Sequence, residues 1–195
     1  MTKIKNNFYF ILILLMALVV SLSNYLVQFP VKYGELQNIL TYGAFTYPIA
    51  FLITDLANRR YGKTTARKIV YIGFVLGVSL TLFFSTDFSN LISKRIAIGS
   101  GTAFLIAQLF DVHIFDKLRK KVWFIAPLAS SLIASSIDTF LFFSISFYGT
   151  GINWITLSFG DLVVKIFVSL VMLIPFRIFI SSIKEVSSQK KKLNA

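Results

Sequence analysis

Long apolar stretches alternate with short polar segments along the chain, and six of these stretches have the length of a membrane-spanning helix. A bilayer core of about 30 Å needs about 20 predominantly apolar residues per helix. The six stretches cover residues 8–28, 40–57, 69–85, 96–114, 124–147 and 155–180. Because little of the chain lies outside them, the pattern predicts an all-α integral membrane protein with a bundle of six transmembrane helices.

The same pattern predicts a single transmembrane domain, residues 1–183, followed by a basic cytoplasmic tail, residues 184–195. The first stretch is long for the apolar region of a signal peptide and no small-x-small cleavage site follows it, so we expect it to be retained. Two halves of three helices would have opposite orientations, as in inverted-repeat transporters. The sequence support for such halves is a proline followed by an adjacent Asp and Thr in helix two (Pro48) and in helix five (Pro127).

Composition agrees with a membrane protein: 56% of the 195 residues are hydrophobic and the mean hydropathy is +0.75. Lys and Arg outnumber Asp and Glu by 20 to 8. Since the basic residues form short clusters between apolar stretches, they indicate membrane topology and argue against a nucleic-acid partner. The chain has no Cys and a single His, His113, which argues against a metal site, and we predict no cofactor.

The distribution of basic residues predicts the orientation, because Lys and Arg that flank membrane helices stay in the cytoplasm. One side of the predicted bundle collects Lys3, Lys5 and the basic residues of 59–68, 116–121 and 190–192, whereas the other has only Lys32, Lys94 and Arg95. With six helices these clusters alternate, so both termini are predicted to be cytoplasmic. The lysine-rich tail is also expected to attract anionic membrane lipid.

Polar residues inside the predicted helices are the candidates for function. An ionisable group in hydrocarbon costs about 2.5–3.5 kcal/mol even on lenient scales, so each needs a partner, a water-filled cavity or a role. Five of the six predicted helices carry a polar stripe at helical spacing, more than packing alone requires. The candidate substrate-binding residues are Asn24, Gln28, Asp55, Phe104, Gln108, Asp111, Ser136, Asp138, Thr139, Asp161 and Lys165.

Several of these positions also have a purely structural interpretation. Asp55 and Arg59 could form the end of a helix whose arginine reaches the lipid headgroups, although we favour a function for Asp55. Asp161 and Lys165, at i and i+4, fit a structural ion pair and a substrate clamp equally. Asp138 is the strongest candidate, because it lies near the middle of its helix with no basic residue within one turn.

Several segments in order along the chain carry a resemblance to a known family: SNYLVQ (23–28), AFTYPIAFLITDLANRRYGKTTAR (44–67), QLFDVHIFDKLR (108–119) and SSIDTFLFF (135–143), followed by Asp161 and Lys165. The chain resembles the six-helix queuosine precursor transporters of the VUT family, formerly grouped as vitamin uptake transporters, from about Ser21 to Phe179. This resemblance implies a transporter and not an enzyme. It implies import of 7-cyano- or 7-aminomethyl-7-deazaguanine across the bacterial inner membrane for queuosine synthesis in tRNA.

The polar stripes fit such a small-molecule cargo without selecting it. A deazaguanine ring presents an N–H beside an amino group, a carbonyl oxygen and two flat faces. A carboxylate can accept from both donors, an amide can meet the carbonyl, and an aromatic ring can cover a face. The matching residues are Asp55 or Asp138, Asn24 or Gln108, and Phe104 or Phe142.

Three other functions remain open at this stage. The substrate-binding subunit of an energy-coupling-factor vitamin importer is also a small six-helix protein, but its Ala-x-x-x-Ala stripes are weak here. An intramembrane enzyme such as a phospholipid-synthesising transferase would need clustered carboxylates, whereas the four aspartates within the predicted helices lie on four different helices. A purely structural subunit would not need five polar stripes. A homo-oligomer is one arrangement that the sequence allows.

Overall fold

The computed structural model describes residues 2–34, 40–84 and 89–182. In these residues the chain forms six helices: α1 (Thr2–Leu26), α2 (Gly43–Tyr61), α3 (Lys63–Phe84), α4 (Leu91–Leu118), α5 (Ile125–Phe147) and α6 (Trp154–Ser182). The described part has no β-sheet, only an isolated bridge between Pro30 and Thr41. The predicted all-α class is therefore confirmed, while the basic tail at 184–195 lies outside the described residues.

Within the described ranges, five helices are long and apolar enough to cross a membrane, and α2 is the exception. This result supports a multi-pass membrane protein, while the count of six spans stays a prediction. The physical reason for the exception is the position of α2, which packs against all five other helices. A helix that is surrounded by protein needs no continuous apolar surface, so it can carry Thr54, Asp55 and Asn58 as buried residues.

Several helices extend beyond the apolar stretches that predicted them. α3 begins at Lys63 and not at residue 69, and α4 covers Leu91–Leu118 and not only 96–114. The basic segment 59–68 is therefore mostly helical, and Gly62 alone separates α2 from α3. Gly62 has a φ of +84°, a conformation that favours glycine, and its N–H donates to the carbonyl of Asn58 at 2.9 Å.

Small residues bring the helices close together. A Cβ on Gly73 or Gly77 of α3 would collide with Met16 or Val20 of α1, so these glycines allow the two helices to approach. The equivalent pair in the second half, α4 and α6, shows no comparable packing in the described residues. The relation of two inverted three-helix halves therefore stays a prediction.

The outside of the bundle is apolar and its centre is polar. Large hydrophobic side chains such as Leu14, Phe83, Val163 and Phe167 are exposed on the outer surface, as expected for contact with lipid. By contrast, four aspartates and one lysine are almost completely buried: Asp55, Asp111, Asp138, Asp161 and Lys165. This arrangement places the candidate chemistry on the inner faces of α2, α4, α5 and α6.

Candidate functional site

The buried polar side chains form three groups inside the bundle. We call Asp138, Thr139, Asp161 and Lys165 the lysine cluster, Asp55 and Asp111 the carboxyl pair, and Asn24, Thr81 and Ser100 the amide cluster. The lysine cluster joins α5 and α6, the carboxyl pair joins α2 and α4, and the amide cluster joins α1, α3 and α4. The lysine cluster therefore connects two consecutive helices, whereas the other two groups connect helices that do not follow one another along the chain.

In the lysine cluster, one ammonium group contacts two carboxylates. Lys165 Nζ lies 2.6 Å from Asp161 Oδ2 and 2.9 Å from Asp138 Oδ2, and it donates to Thr139 Oγ1 at 3.1 Å. Thr139 in turn donates to Asp161 Oδ2 at 2.9 Å. The expected i, i+4 pair on α6 is present, and the same lysine also contacts an aspartate of the neighbouring helix.

The lysine cluster has one hydrogen-bond acceptor to spare. Asp138 is 1% exposed and its Oδ1 has no hydrogen-bond partner, whereas Oδ2 is bound by Lys165. Buried polar atoms are nearly always hydrogen-bonded, and an unmet one costs free energy. With two carboxylates and one ammonium, the cluster can accept a hydrogen-bond donor or a positive charge from a ligand.

The rings of Tyr47, Phe104 and Phe74, which we call the aromatic wall, lie beside the lysine cluster. Lys165 Nζ lies 4.9 Å from the centre of the Tyr47 ring, a cation–π distance. The rings of Tyr47 and Phe104 pack edge to face with their centres 5.9 Å apart, and the ring of Phe104 stacks on that of Phe74 with the centres 6.0 Å apart. The Tyr47 hydroxyl donates to the carbonyl of Ser100 at 3.4 Å. Flat side chains and a buried charge therefore meet at one place in the bundle.

The amide cluster is satisfied by the protein itself. Asn24 donates through Nδ2 to Thr81 Oγ1 at 3.1 Å and accepts from the Ser100 hydroxyl. Both polar ends of this amide are thus used in packing α1 against α3 and α4. Gln28 is exposed two residues after the end of α1 and donates to the carbonyl of Asn24 at 3.3 Å. Neither amide shows a free group directed at the lysine cluster.

The carboxyl pair is buried without a basic partner. Asp55 and Asp111 are 2% and 0% exposed, and their side chains contact each other. Ser130 donates to Asp55 Oδ1 at 3.4 Å and also lies beside Asp111. Among the described residues neither carboxyl forms an ion pair. This pair is consequently an acidic centre that the protein leaves uncompensated.

Gln108 lies between the aromatic wall and the carboxyl pair on α4. Phe104, Gln108 and Asp111 follow one another at spacings of four and three, so they share a face of the helix. Thr54 donates to Gln108 Oε1 at 2.5 Å, while Gln108 Nε2 is buried and has no hydrogen-bond partner. The amide therefore offers free donors inside the bundle.

The structure gathers some of the predicted residues and separates others. Asp138, Thr139, Asp161 and Lys165 come together, and Phe104 joins them through Tyr47. The half-buried Ser136 bonds back to the carbonyl of Leu132 in its own helix, and the fully buried neighbour is Ser135.

The predicted set did not include four residues that belong to the three groups or contact them or Gln108: Tyr47, Thr54, Ser100 and Ser130. Tyr47 shares a helix face with Asp55, and that spacing was the available signal.

Asp55 and Asp138 belong to different groups in the structure, although each follows a proline in the matching helix of its predicted half. Tyr47, which contacts Lys165, precedes Asp55 by eight residues on α2. This spacing corresponds to about 12 Å along a helix axis. The bundle therefore holds two acidic centres, the lysine cluster and the carboxyl pair, at different depths.

Comparison with known proteins gives one family. The model of the family described as "Putative vitamin uptake transporter" matches residues 41–180. The chain is 32% identical to the queuosine precursor transporter of Escherichia coli (strain K12), covering 91% of this chain and 89% of that protein. It is 33% identical to a probable queuosine precursor transporter of Haemophilus influenzae, covering 80% and 79%. A probable queuosine precursor transporter of Bacillus subtilis (strain 168) is 29% identical over 68% of each chain. No solved structure gives a significant match.

Proposed function

Because the chain belongs to the family described as putative vitamin uptake transporters, we propose that it carries a queuosine precursor, the 7-cyano or 7-aminomethyl form of 7-deazaguanine, across a membrane. The relatives in Escherichia coli and Haemophilus influenzae are named for queuosine precursor transport and match most of the chain. The proposed location is the bacterial inner membrane with both termini in the cytoplasm. The alternation of basic clusters along the chain supports that orientation.

The observation that carries the proposed binding site is the unpaired Oδ1 of Asp138 in a buried, charge-stabilised cluster. A deazaguanine ring offers an N–H and an amino group side by side, and a carboxylate is the acceptor that suits such donors. Lys165 holds the other oxygen of Asp138 at 2.9 Å, so the carboxylate is fixed in place before the ligand arrives.

Two neighbouring groups suit the rest of the ring. The free Nε2 of Gln108 can donate to the carbonyl oxygen of the base. Tyr47 and Phe104 provide aromatic surface against which a flat ring can pack. In this assignment Asp161 and Thr139 orient Lys165, and Asn24 holds helices together through its bonds to Thr81 and Ser100.

The test of the transport proposal is uptake by cells that cannot synthesise the precursor. Such cells are supplied with labelled precursor with and without this protein, and queuosine in their tRNA is measured. We expect queuosine to appear only in cells that make the protein. Unchanged tRNA in cells that contain the protein in their membrane would refute the proposal.

A second measurement separates a complete transporter from a subunit of an importer. The purified protein in liposomes should take up precursor without any ATPase, because the polar residues on the inner faces of several helices can form a complete path. Uptake that appears only when an ATPase partner is added would instead identify the chain as a substrate-binding subunit.

A further inference from the structure

The carboxyl pair has no place in the proposed substrate site, which leaves two buried carboxyls unexplained. Asp55 and Asp111 touch each other between α2 and α4, and both Asp111 oxygens lack a conventional hydrogen-bond partner. Two ionised carboxylates in contact at such a buried site would repel each other strongly, because few water dipoles screen the charges. A contact of this kind is stable when one proton lies between the two groups.

The nearby charged groups do not neutralise the pair. In the described residues Arg59 and Arg119 donate to backbone carbonyls between α2 and α4, and Arg177 stacks on Trp123. Lys165 is held by Asp138 and Asp161, and Lys63 contacts His113. On α5, Ser130 supplies a hydroxyl and no charge. A proton is therefore the simplest positive charge that can balance the pair.

A small cavity lies between Asp55 of the carboxyl pair and α6. It has room for about one water molecule and is lined by Asp55, Ser131 and Ser169 together with apolar residues. Ser169 is 4% exposed, and its hydroxyl has no hydrogen-bond partner although it borders the same cavity as Asp55. A water molecule there would link a free hydroxyl to the carboxyl pair.

The free hydroxyls also lie between the two acidic centres. Ser169 follows Lys165 by one turn on α6, and Ser135 lies one turn from Asp138 on the face of α5 that also carries Ser131. Ser135 is fully buried and its hydroxyl is unpaired as well. Hydroxyls both donate and accept, so together with water they can pass a proton along a chain of hydrogen bonds.

We propose that the Asp55–Asp111 pair is the binding site for the proton that drives transport, separate from the site that binds the substrate at the lysine cluster. One proton enters from the side of higher proton concentration, is shared by the two carboxyls, and leaves to the other side while one substrate crosses. This inference rests on the proposed transport function and adds the coupling ion to it.

The test uses purified protein in liposomes that contain a pH-sensitive dye. For the parent protein we expect precursor uptake to carry protons inward, to rise several-fold when the outside is more acidic, and to be unaffected by replacing sodium with potassium. Asp55→Asn and Asp111→Asn should still bind labelled precursor with an affinity within about threefold of the parent. They should no longer move protons or respond to the pH gradient.

The matched control is Asp116→Asn, which removes an aspartate of the same helix that is partly exposed and paired with Arg119. It should retain both precursor uptake and proton movement. Uptake by the parent that follows the sodium gradient, or that ignores both gradients, would overturn the proton site and leave the transport function intact. Failure of the parent to bind and transport precursor would instead refute the proposed function.

A measurement on the parent protein keeps the inference testable if the variants do not fold. Infrared spectra of the ligand-free protein should show the carbonyl stretch of a protonated, buried carboxyl at neutral pH. This band should persist in Asp138→Asn, because that residue lies in the other acidic centre. Absence of any protonated carboxyl in the parent, or loss of the band in Asp138→Asn, would show that the pair does not hold a proton.

Discussion

Replacing Asp138 by Asn tests the substrate site with little change of shape. The variant keeps the volume of the side chain and removes one negative charge, and Lys165 still has Asp161 at 2.6 Å and Thr139 at 3.1 Å. The cluster becomes a neutral pair of one lysine and one aspartate. We therefore expect the protein to insert and fold, with a stability change well below the 3–5 kcal/mol that follows when a buried charge loses its only partner.

The effect on binding should be much larger than the effect on folding. The free Oδ1 of Asp138 accepts from the ligand in the proposed site, and an Asn that retains its contact with Lys165 through its oxygen directs an NH₂ group at the same donors. Loss of a charge-assisted hydrogen bond costs about 1.5–3 kcal/mol, and two opposed donors add to that. Since 1.4 kcal/mol corresponds to a factor of ten, the affinity should fall about 10- to 100-fold.

The assay is uptake and binding of labelled precursor at concentrations well below half-saturation, with the amount of protein in the membrane matched to the parent. Asp116→Asn serves as the control for the loss of one aspartate. Near-normal uptake by Asp138→Asn under these conditions would remove Asp138 from the binding site. It would also leave the free oxygen of Asp138 without an explanation.

The other predictions concern the lysine, the aromatic wall, the helix contact and the topology. Lys165→Met leaves two buried carboxylates unpaired and should lower the unfolding free energy by about 3–5 kcal/mol; added Asp138→Asn and Asp161→Asn should restore most of the melting temperature. Tyr47→Leu should weaken precursor binding about tenfold and Tyr47→Phe much less, because only Leu removes the ring beside Lys165. Gly77→Ala should cost about 1–3 kcal/mol in thermal unfolding because its Cβ meets Val20, whereas Gly101→Ala has ordinary contacts and should not. Reporter fusions should indicate cytoplasm at Lys63, Lys120 and Lys191 and the opposite side near Tyr33, Asn90 and Thr150, and one reversed result would break the six-span topology.

The sequence predicts the helices well because a membrane helix is a local feature of the chain. A run of about 20 apolar residues has few other ways to satisfy its backbone in a bilayer. The helix ends are less predictable, as residues 59–68 show. Arg, Lys and Ala favour helix in water as well as in lipid, so α2 and α3 continue through the polar segment until Gly62 interrupts it.

The site is predictable only where its geometry is local. The pairing of Asp161 with Lys165 follows from one turn of a single helix. The pairing of Lys165 with Asp138 joins residues 27 positions apart, and no periodicity in the sequence specifies which faces of α5 and α6 meet. The analogy between the two halves matched Asp55 with Asp138, whereas packing brings Asp55 to Asp111.

The helix α2 is less apolar than the five other helices, yet it lies in the middle of the bundle because those helices surround it. Asp55 does not cap the end of this helix, because it lies six residues before Tyr61, and Arg59 is directed to the carbonyl of Arg119. Tyr47 at the lysine cluster and Asp55 at the carboxyl pair share one face of the same helix. Pro48, next to Tyr47, removes one backbone hydrogen bond and makes this the place where α2 bends most easily. A shift of α2 therefore acts on both acidic centres at once, which is what coupling between two binding sites requires.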